Sequence, residues 1–252
     1  MVSQQESPPI FVPPKSDGTV IWRFIDFTKL ASLFHRESLY FVRSDRLDDP
    51  FEGSYPKGSV FMKAALIREM KLKAGDKLIA ALRSIENMRR VVRLWTYLNS
   101  WHMNEYESAA MWKIYTATSE AVAIRSTYKS LREALPDRVN IGMVSYIDFE
   151  KEVIPEANAL YPFMYKRLSY SYEKELRALD FDTTDEDGQP QTDGNLLPMG
   201  KYVPVDIDKL VHRIYVAPGA PSWFREVVAD LCSRYGIQKE VTQSSIDGEP
   251  FY

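Results

Sequence analysis

The run "SLYFVRS", Ser38–Ser44, is apolar on both faces until Arg43. A strand of that kind has to be covered on both sides. "TVIWRFIDF", Thr19–Phe27, is a second such run, rich in β-branched and aromatic residues and broken only by Arg23. Between them, "FTKLASLFHRE" puts Phe27, Leu30, Leu33 and Phe34 on one face of a short helix and turns Lys29, Ser32 and Arg36 away. The chain thus opens as strand, helix, strand with two apolar layers to bury. With 45% apolar residues, its 252 residues can supply the core of one large domain.

Further along, strands and helices mix without regular alternation. Residues 60–98 read as a helical insertion with a break at Gly75 and Asp76, the second helix capped by Asp76. "ESAAMWKIY" reads as a short helix, and "EAVAIRS" and "NIGMVSYIDF" as strands. "ALYPFMYKRLSY" is expected to be helical after Pro162, and "YEKELRALDF" to be a strand. "DTTDEDGQPQTDGNLLPMG" is an acidic loop with no core face. "KYVPVDI", the "RIYVAP" strand, a helix from Ser222 to Tyr235 ended by Gly236, and "KEVTQSSI" close the chain. The expected class is α+β, as one domain over residues 19–252. Residues 1–18, polar and proline-rich, are expected to form a disordered tail without the basic start and apolar stretch of a signal peptide.

Several function classes lack support. The net charge is −3, and the basic residues of the insertion (Lys71, Lys73, Lys77, Arg83, Arg89, Arg90, Arg93) are mixed with Glu69, Asp76 and Glu86. A solvated helix face is expected there, and nucleic acid is not expected as a partner. No apolar run approaches the length of a membrane span. Cys232, the single cysteine, is expected to be a buried thiol; with no internal disulfide possible, a cytoplasmic location is the expectation. The histidines His35, His102 and His212 show no ligand spacing, so no metal is expected. Glycine-rich phosphate loops and G-x-S-x-G elbows are missing.

Chemistry is left to a few polar residues on apolar runs. Arg23 is either a buried cation that must have a partner or an edge-strand side chain facing water. Ser44 shares a face with Val42 and Tyr40, where it either contributes a hydroxyl or ends the ladder. Glu173, Glu175 and Arg177 alternate. On a strand they share one face, where Arg177 holds one carboxylate ionised or the other is pushed up; on a helix Glu173 and Arg177 are an exposed pair. "DDPFEG" combines an Asp49 cap, Pro50 and Glu52 in a near capping box; Gly53 keeps any helix there short, so a rigid turn is expected, the alternative being a ligand site.

Taken in order, "LDDPFEG", "NSWH", "MWKIY", "YEKELRAL" and "IYVAPGAP" resemble a bacterial family known as domain of unknown function 2971. That family looks like a divergent ADP-ribosyltransferase fold, with a mixed sheet core. The resemblance implies a first-strand Arg23, a second-strand Ser44, and Glu175 preceded by Glu173 as catalytic residues. It also implies Arg23 and Arg43 as ligands for a nucleotide, with Tyr40 and Trp112 as an apolar wall for its base. NAD is the implied substrate, and a protein is one implied acceptor. Two positions depart from the pattern: Phe24 stands where many such enzymes have glycine, and "RSD" where a Ser-Thr-Ser run is common. The alternative expectation is a non-catalytic binding component of a bacterial defence or toxin-associated system.

Overall fold

The computed structural model describes residues 9–116, 120–185 and 187–248, without the side chains of 69–86 and 247. β1 (Val20–Asp26) runs into α1 (Phe27–Arg36), which the Asp26 carboxylate starts by accepting from the Lys29 amide at 2.8 Å. Glu37, at φ 46°, ends α1 and leads into β2 (Ser38–Arg43). A 3₁₀ turn, Ser44–Arg46, and the DPFE turn follow. α2 (Lys57–Trp95) then carries the chain to β3 (Thr96–Met103).

α3 (Ala109–Tyr115), β4 (Ala121–Thr127), α4 (Tyr128–Ala134), β5 (Asn140–Met143), β6 (Ser145–Ile147), β7 (Tyr165–Arg167) and β8 (Glu175–Phe181) come next. β9 (Gly200–Pro204), α5 (Ile207–Leu210), β10 (Arg213–Val216), α6 (Ser222–Arg234) and β11 (Glu240–Gln243) complete the chain. The class is α+β, as the mixed pattern predicts, with a mixed sheet at its centre.

That sheet has nine strands among the described residues, in the order β11-β10-β4-β1-β3-β2-β9, with β8 pairing β3 and β5. Only β10 and β11 run parallel within it. β3 is the hub. β8 follows one edge of β3 from Thr96 to His102. The other edge is shared: β1 pairs at His102 and Met103, whereas β2 pairs at Tyr97 and Leu98. Between them β1 and β2 diverge, leaving a fork opposite Asn99, Ser100 and Trp101. The Asn99 amide closes one side of it by donating to the Tyr40 carbonyl at 2.9 Å.

One face of the sheet carries Ile21, Ile25, Trp101, Leu176 and Ala178 and packs on α1, α4 and α6 through Leu30, Leu131 and Val228. The other carries Val20, Trp22 and Phe24, which α3 covers with Met111 and Trp112.

Several local expectations need correction. α2 runs through Gly75 and Asp76 without a break, and it stops at Trp95, where Thr96 turns its hydroxyl back to the Val92 carbonyl and begins a strand. Its first described turns leave Val60, Phe61, Met62 and Leu66 exposed. Arg89 pairs with Glu156, and the other basic side chains named for residues 69–86 lie outside the described ones. The stretch after Pro162 is not a helix: a 3₁₀ turn, Tyr161–Met164, leads to β7, which pairs with β6, and a second 3₁₀ turn, Leu168–Glu173, follows.

DPFE starts no helix either. The Asp49 side chain accepts from the Phe51 amide, while Glu52 turns inward instead of reaching back to close a capping box. Gly53, at φ 68°, is required there, because a Cβ would lie 2.3 Å from the Phe163 ring. Finally, residues 9–18 of the expected tail are laid down on the fold. The Val12 carbonyl accepts from Met143, the Asp17 carbonyl accepts from Lys129, and the Asp17 carboxylate pairs with Arg132. Residues 1–8 lie outside the described residues.

Candidate active site

Register puts Glu175 of β8 directly opposite His102 of β3, and Arg177 opposite Ser100. Directly opposed residues share a face, so the strand period delivers Glu175, Arg177, Ser100 and His102 to one side of the sheet. Glu173 ends the 3₁₀ turn before β8, and Lys174 at φ 41° reverses the backbone between the two acids. Both carboxylates therefore enter the same cluster although only Glu175 is on the strand.

Arg177, 1% exposed, is held between acids. It grips Glu175 with Nε at 2.6 Å and Nη2 at 2.9 Å, pairs through its other edge with Glu52 of the DPFE turn, and donates to the Phe163 carbonyl. Two carboxylates hold it charged against the cost of burial. Glu175 also accepts from the Ser100 hydroxyl at 2.5 Å and faces the Lys166 ammonium at 3.5 Å. Burial opposes its charge, but Arg177, Lys166 and Ser100 together bring it down to about 2. Glu52 moves the other way: burial, with Glu175 nearby, pushes it above the usual carboxylate range despite Arg177. The two acids on one guanidinium are thus set apart. Glu173 accepts from Lys166 at 2.5 Å and from the Tyr115 hydroxyl at 2.9 Å. Burial and Glu173 push Tyr115 up, so it stays a neutral donor.

Arg23 enters from the fork. Its Nη1 donates to the Ser100 carbonyl at 2.6 Å, on an edge that neither β1 nor β2 covers at that point. Its guanidinium lies 5.9 Å from the centre of the Trp101 ring. Burial lowers it to about 10, with Tyr115 and Glu175 near enough to work against that shift. It remains cationic at neutral pH, and among the described residues it has no carboxylate partner.

The structure therefore brings Arg23, Glu173 and Glu175 together around Ser100. It does not bring Ser44, Arg43, Tyr40 or Trp112 there. Ser44 is fully buried and donates to the Arg93 carbonyl at 2.8 Å, fixing the end of α2; the hydroxyl on Glu175 is that of Ser100. Arg43, expected on a nucleotide, donates to the Gly194 and Leu197 carbonyls at 2.7 Å and to Asp45, and so ties the acidic loop to β2. Tyr40 leans on Tyr202 of β9, with ring centres 5.1 Å apart. Trp112 is 3% exposed, edge-on to Phe24, with its indole nitrogen on Glu107. It is a core ring and offers no open wall.

Ser100, Glu52, Lys166 and Tyr115 were not singled out from sequence as members of the cluster. The alternation of "YLNSWHM" is the signal that could have found Ser100. Cys232 is buried, and burial pushes its thiol up to about 11. Among the described residues no group of three His, Cys, Asp or Glu is placed to hold a metal, and no helix is long and apolar enough to cross a membrane.

No family model matches the chain, and no curated protein matches it. Among solved structures it is similar to DarT from Thermus sp. 2.9. In the complex with NAD+ the TM-score is 0.41, and in the complex with carba-NAD+ it is 0.39. Each pair is 9% identical, over 90% of this chain and 96% of the other. At that identity and overlap the likeness assigns no role to any residue.

Proposed function

We propose that the fork around Ser100 is the reaction centre of an ADP-ribosyltransferase-like enzyme acting on NAD or a closely related nucleotide. One observation carries this: an acid held ionised, Glu175, acts electrostatically on a guanidinium that has no carboxylate partner among the described residues, Arg23, in a gap between strands. The substrate has the complementary pattern. Breaking its nicotinamide–ribose bond sends the bond electrons to the leaving nicotinamide and leaves positive charge on the sugar, while the pyrophosphate stays anionic.

Glu52, Glu173 and Glu175 face Lys166 and Arg177, and Arg23 brings the cations to three, so an ionised Glu175 is balanced until the sugar develops its charge. A unit of positive charge about 4 Å from Glu175 gains roughly 4 kcal/mol at an effective dielectric near 20. That is worth about a thousandfold in rate. Arg23 would take the pyrophosphate or a ribose hydroxyl with the donors left over from Ser100. The acceptor, on a protein or a small molecule, would attack the sugar carbon and lose its proton to Glu173. Tyr115, half-exposed and hydrogen bonded to Glu173, would take the wall role that Trp112 does not.

The saturation of Glu175 favours the second function, a binding module that holds the nucleotide without cleaving it. It is 3% exposed and meets Ser100, Arg177 and Lys166. One assay separates the two. NAD-dependent nicotinamide release is expected from the wild type and a fall of about a thousandfold in Glu175→Gln, whose amide still accepts from Ser100 while Glu52 keeps Arg177 paired. Bound NAD without release in the wild type selects the binding module. Equal release by both proteins rejects the role given to Glu175.

A further inference from the structure

A groove of about 590 Å³ opens on the same sheet face as Glu175 but shares none of the cluster's residues. One cross-strand row joins the two places: Glu175, His102, Trp22, Arg125 and Arg213 are successive register partners on β8, β3, β1, β4 and β10. Trp22 and Tyr215 form the floor, with ring centres 5.0 Å apart. The segment from Glu105 to Glu107 makes one wall and the end of β11 with Ser245 the other, bridged where Glu107 accepts from Ser245.

The charges at one end are unevenly matched. Arg213 is paired with Glu240, and Lys239 with Asp208. His212 is engaged with the Ser130 hydroxyl at 2.7 Å, and burial, then Arg125 and Lys239, lower it, so it stays neutral at pH 7. Arg125 remains. Its guanidinium lies 6.0 Å from the centre of the Trp22 ring, and no hydrogen bond or ion pair engages it among the described residues. Across from it, Tyr106 is 80% exposed, a large ring held in water at the rim.

We infer that this groove binds a small ligand that joins an anionic group to a flat ring, the anion on Arg125 and the ring against Tyr106 and Tyr215. Its volume lies within the range of small-molecule sites, roughly 300–1,000 Å³. A forked, unpaired guanidinium suits phosphate and carboxylate alike. That chemistry is shared by a nucleoside monophosphate and by an aromatic carboxylate. The inference stands whether or not the fork cleaves NAD.

Calorimetric titration of the full chain with adenosine monophosphate, adenosine, inorganic phosphate and phenylpyruvate tests it. A probe carrying both ring and anion is expected to bind at least tenfold more tightly than adenosine or inorganic phosphate. Adenosine monophosphate alone binding identifies a phosphate ester, and phenylpyruvate alone a carboxylate. Arg125→Gln is expected to weaken that binding at least tenfold and Tyr106→Ala, at a rim position that folding does not need, several-fold. Arg23→Gln and Glu175→Gln are expected to leave it unchanged. Failure of both ring-and-anion probes at millimolar concentration would overturn the inference. So would binding that survives Arg125→Gln and Tyr106→Ala, or that is lost with the two fork variants instead.

Discussion

The two halves of β3 are both lined with polar groups that the fold buries, yet they satisfy them differently. Around Thr96–Asn99 the partners are mostly backbone carbonyls: Thr96 on Val92, Ser44 on Arg93, Asn99 on Tyr40, and Arg43 on Gly194 and Leu197. Around Ser100–His102 the partners are mostly ionisable side chains: Glu175 with Arg177 and Lys166, Arg177 with Glu52, Glu173 with Lys166 and Tyr115. A carbonyl cannot change its charge, so those bonds hold loops and helix ends in place at any pH; the first half has its own buried acid, Asp180 opposite Tyr97, but Lys201 and Arg138 pair it. The second half carries groups whose charge a ligand or a proton can alter. The proposed chemistry belongs to the second half, beside the fork.

The sharpest contrast comes from removing the guanidinium that joins two acids. Arg177→Met should leave Glu52 and Glu175 buried without their main cation and cost about 3–5 kcal/mol, read by urea denaturation at pH 7. A loss smaller than that of a surface arginine would mean that water already screens the cluster.

Next is the acid limb of stability. The folded value of Glu175 lies near 2, below the ordinary 4.5. The unfolded chain therefore binds more protons between those values, and stability falls as pH drops from about 4.5 towards 2, by roughly 3 kcal/mol. Glu52, raised when folded, contributes the opposite slope: its term weakens as pH climbs above about 4.5. Glu175→Gln should flatten the acid limb, and Glu52→Gln should flatten the decline on the neutral side. Urea midpoints across pH 3–7 check both signs.

The smallest effect is the most discriminating. Ser44→Ala and Ser100→Ala each remove one buried hydrogen bond and should each cost about 1 kcal/mol. Only Ser100→Ala should slow nicotinamide release, by about tenfold, because its hydroxyl touches Glu175. Equal kinetic effects would erase the distinction between the halves.

How much of this was legible in sequence follows the range of the interactions. Arg23, Glu175 and Arg177 stand out because a charge on an apolar strand must find a partner, and the strand period alone puts Glu175 and Arg177 on one face. Ser100 escaped because the helical reading took in the start of its strand, residues 96–98, and hid the alternation, and because its partner Glu175 lies 75 residues away. Glu52 was visible as part of a turn, but a capping role satisfied it locally; only the fold shows that Arg177, 125 residues on, claims its carboxylate. Arg43 looked like a ligand group for the same reason that makes it an anchor, a cation at a strand end. Choosing between those roles needed the carbonyls of residues 194 and 197, which carry no signature in the side-chain pattern.

A crystal structure of the chain with NAD bound tests the central claim most directly. The account predicts the nicotinamide ribose within about 4 Å of Glu175, with the pyrophosphate or a ribose hydroxyl on Arg23 in the fork opposite Ser100. NAD lying elsewhere, with Arg23 and Glu175 untouched, would contradict it.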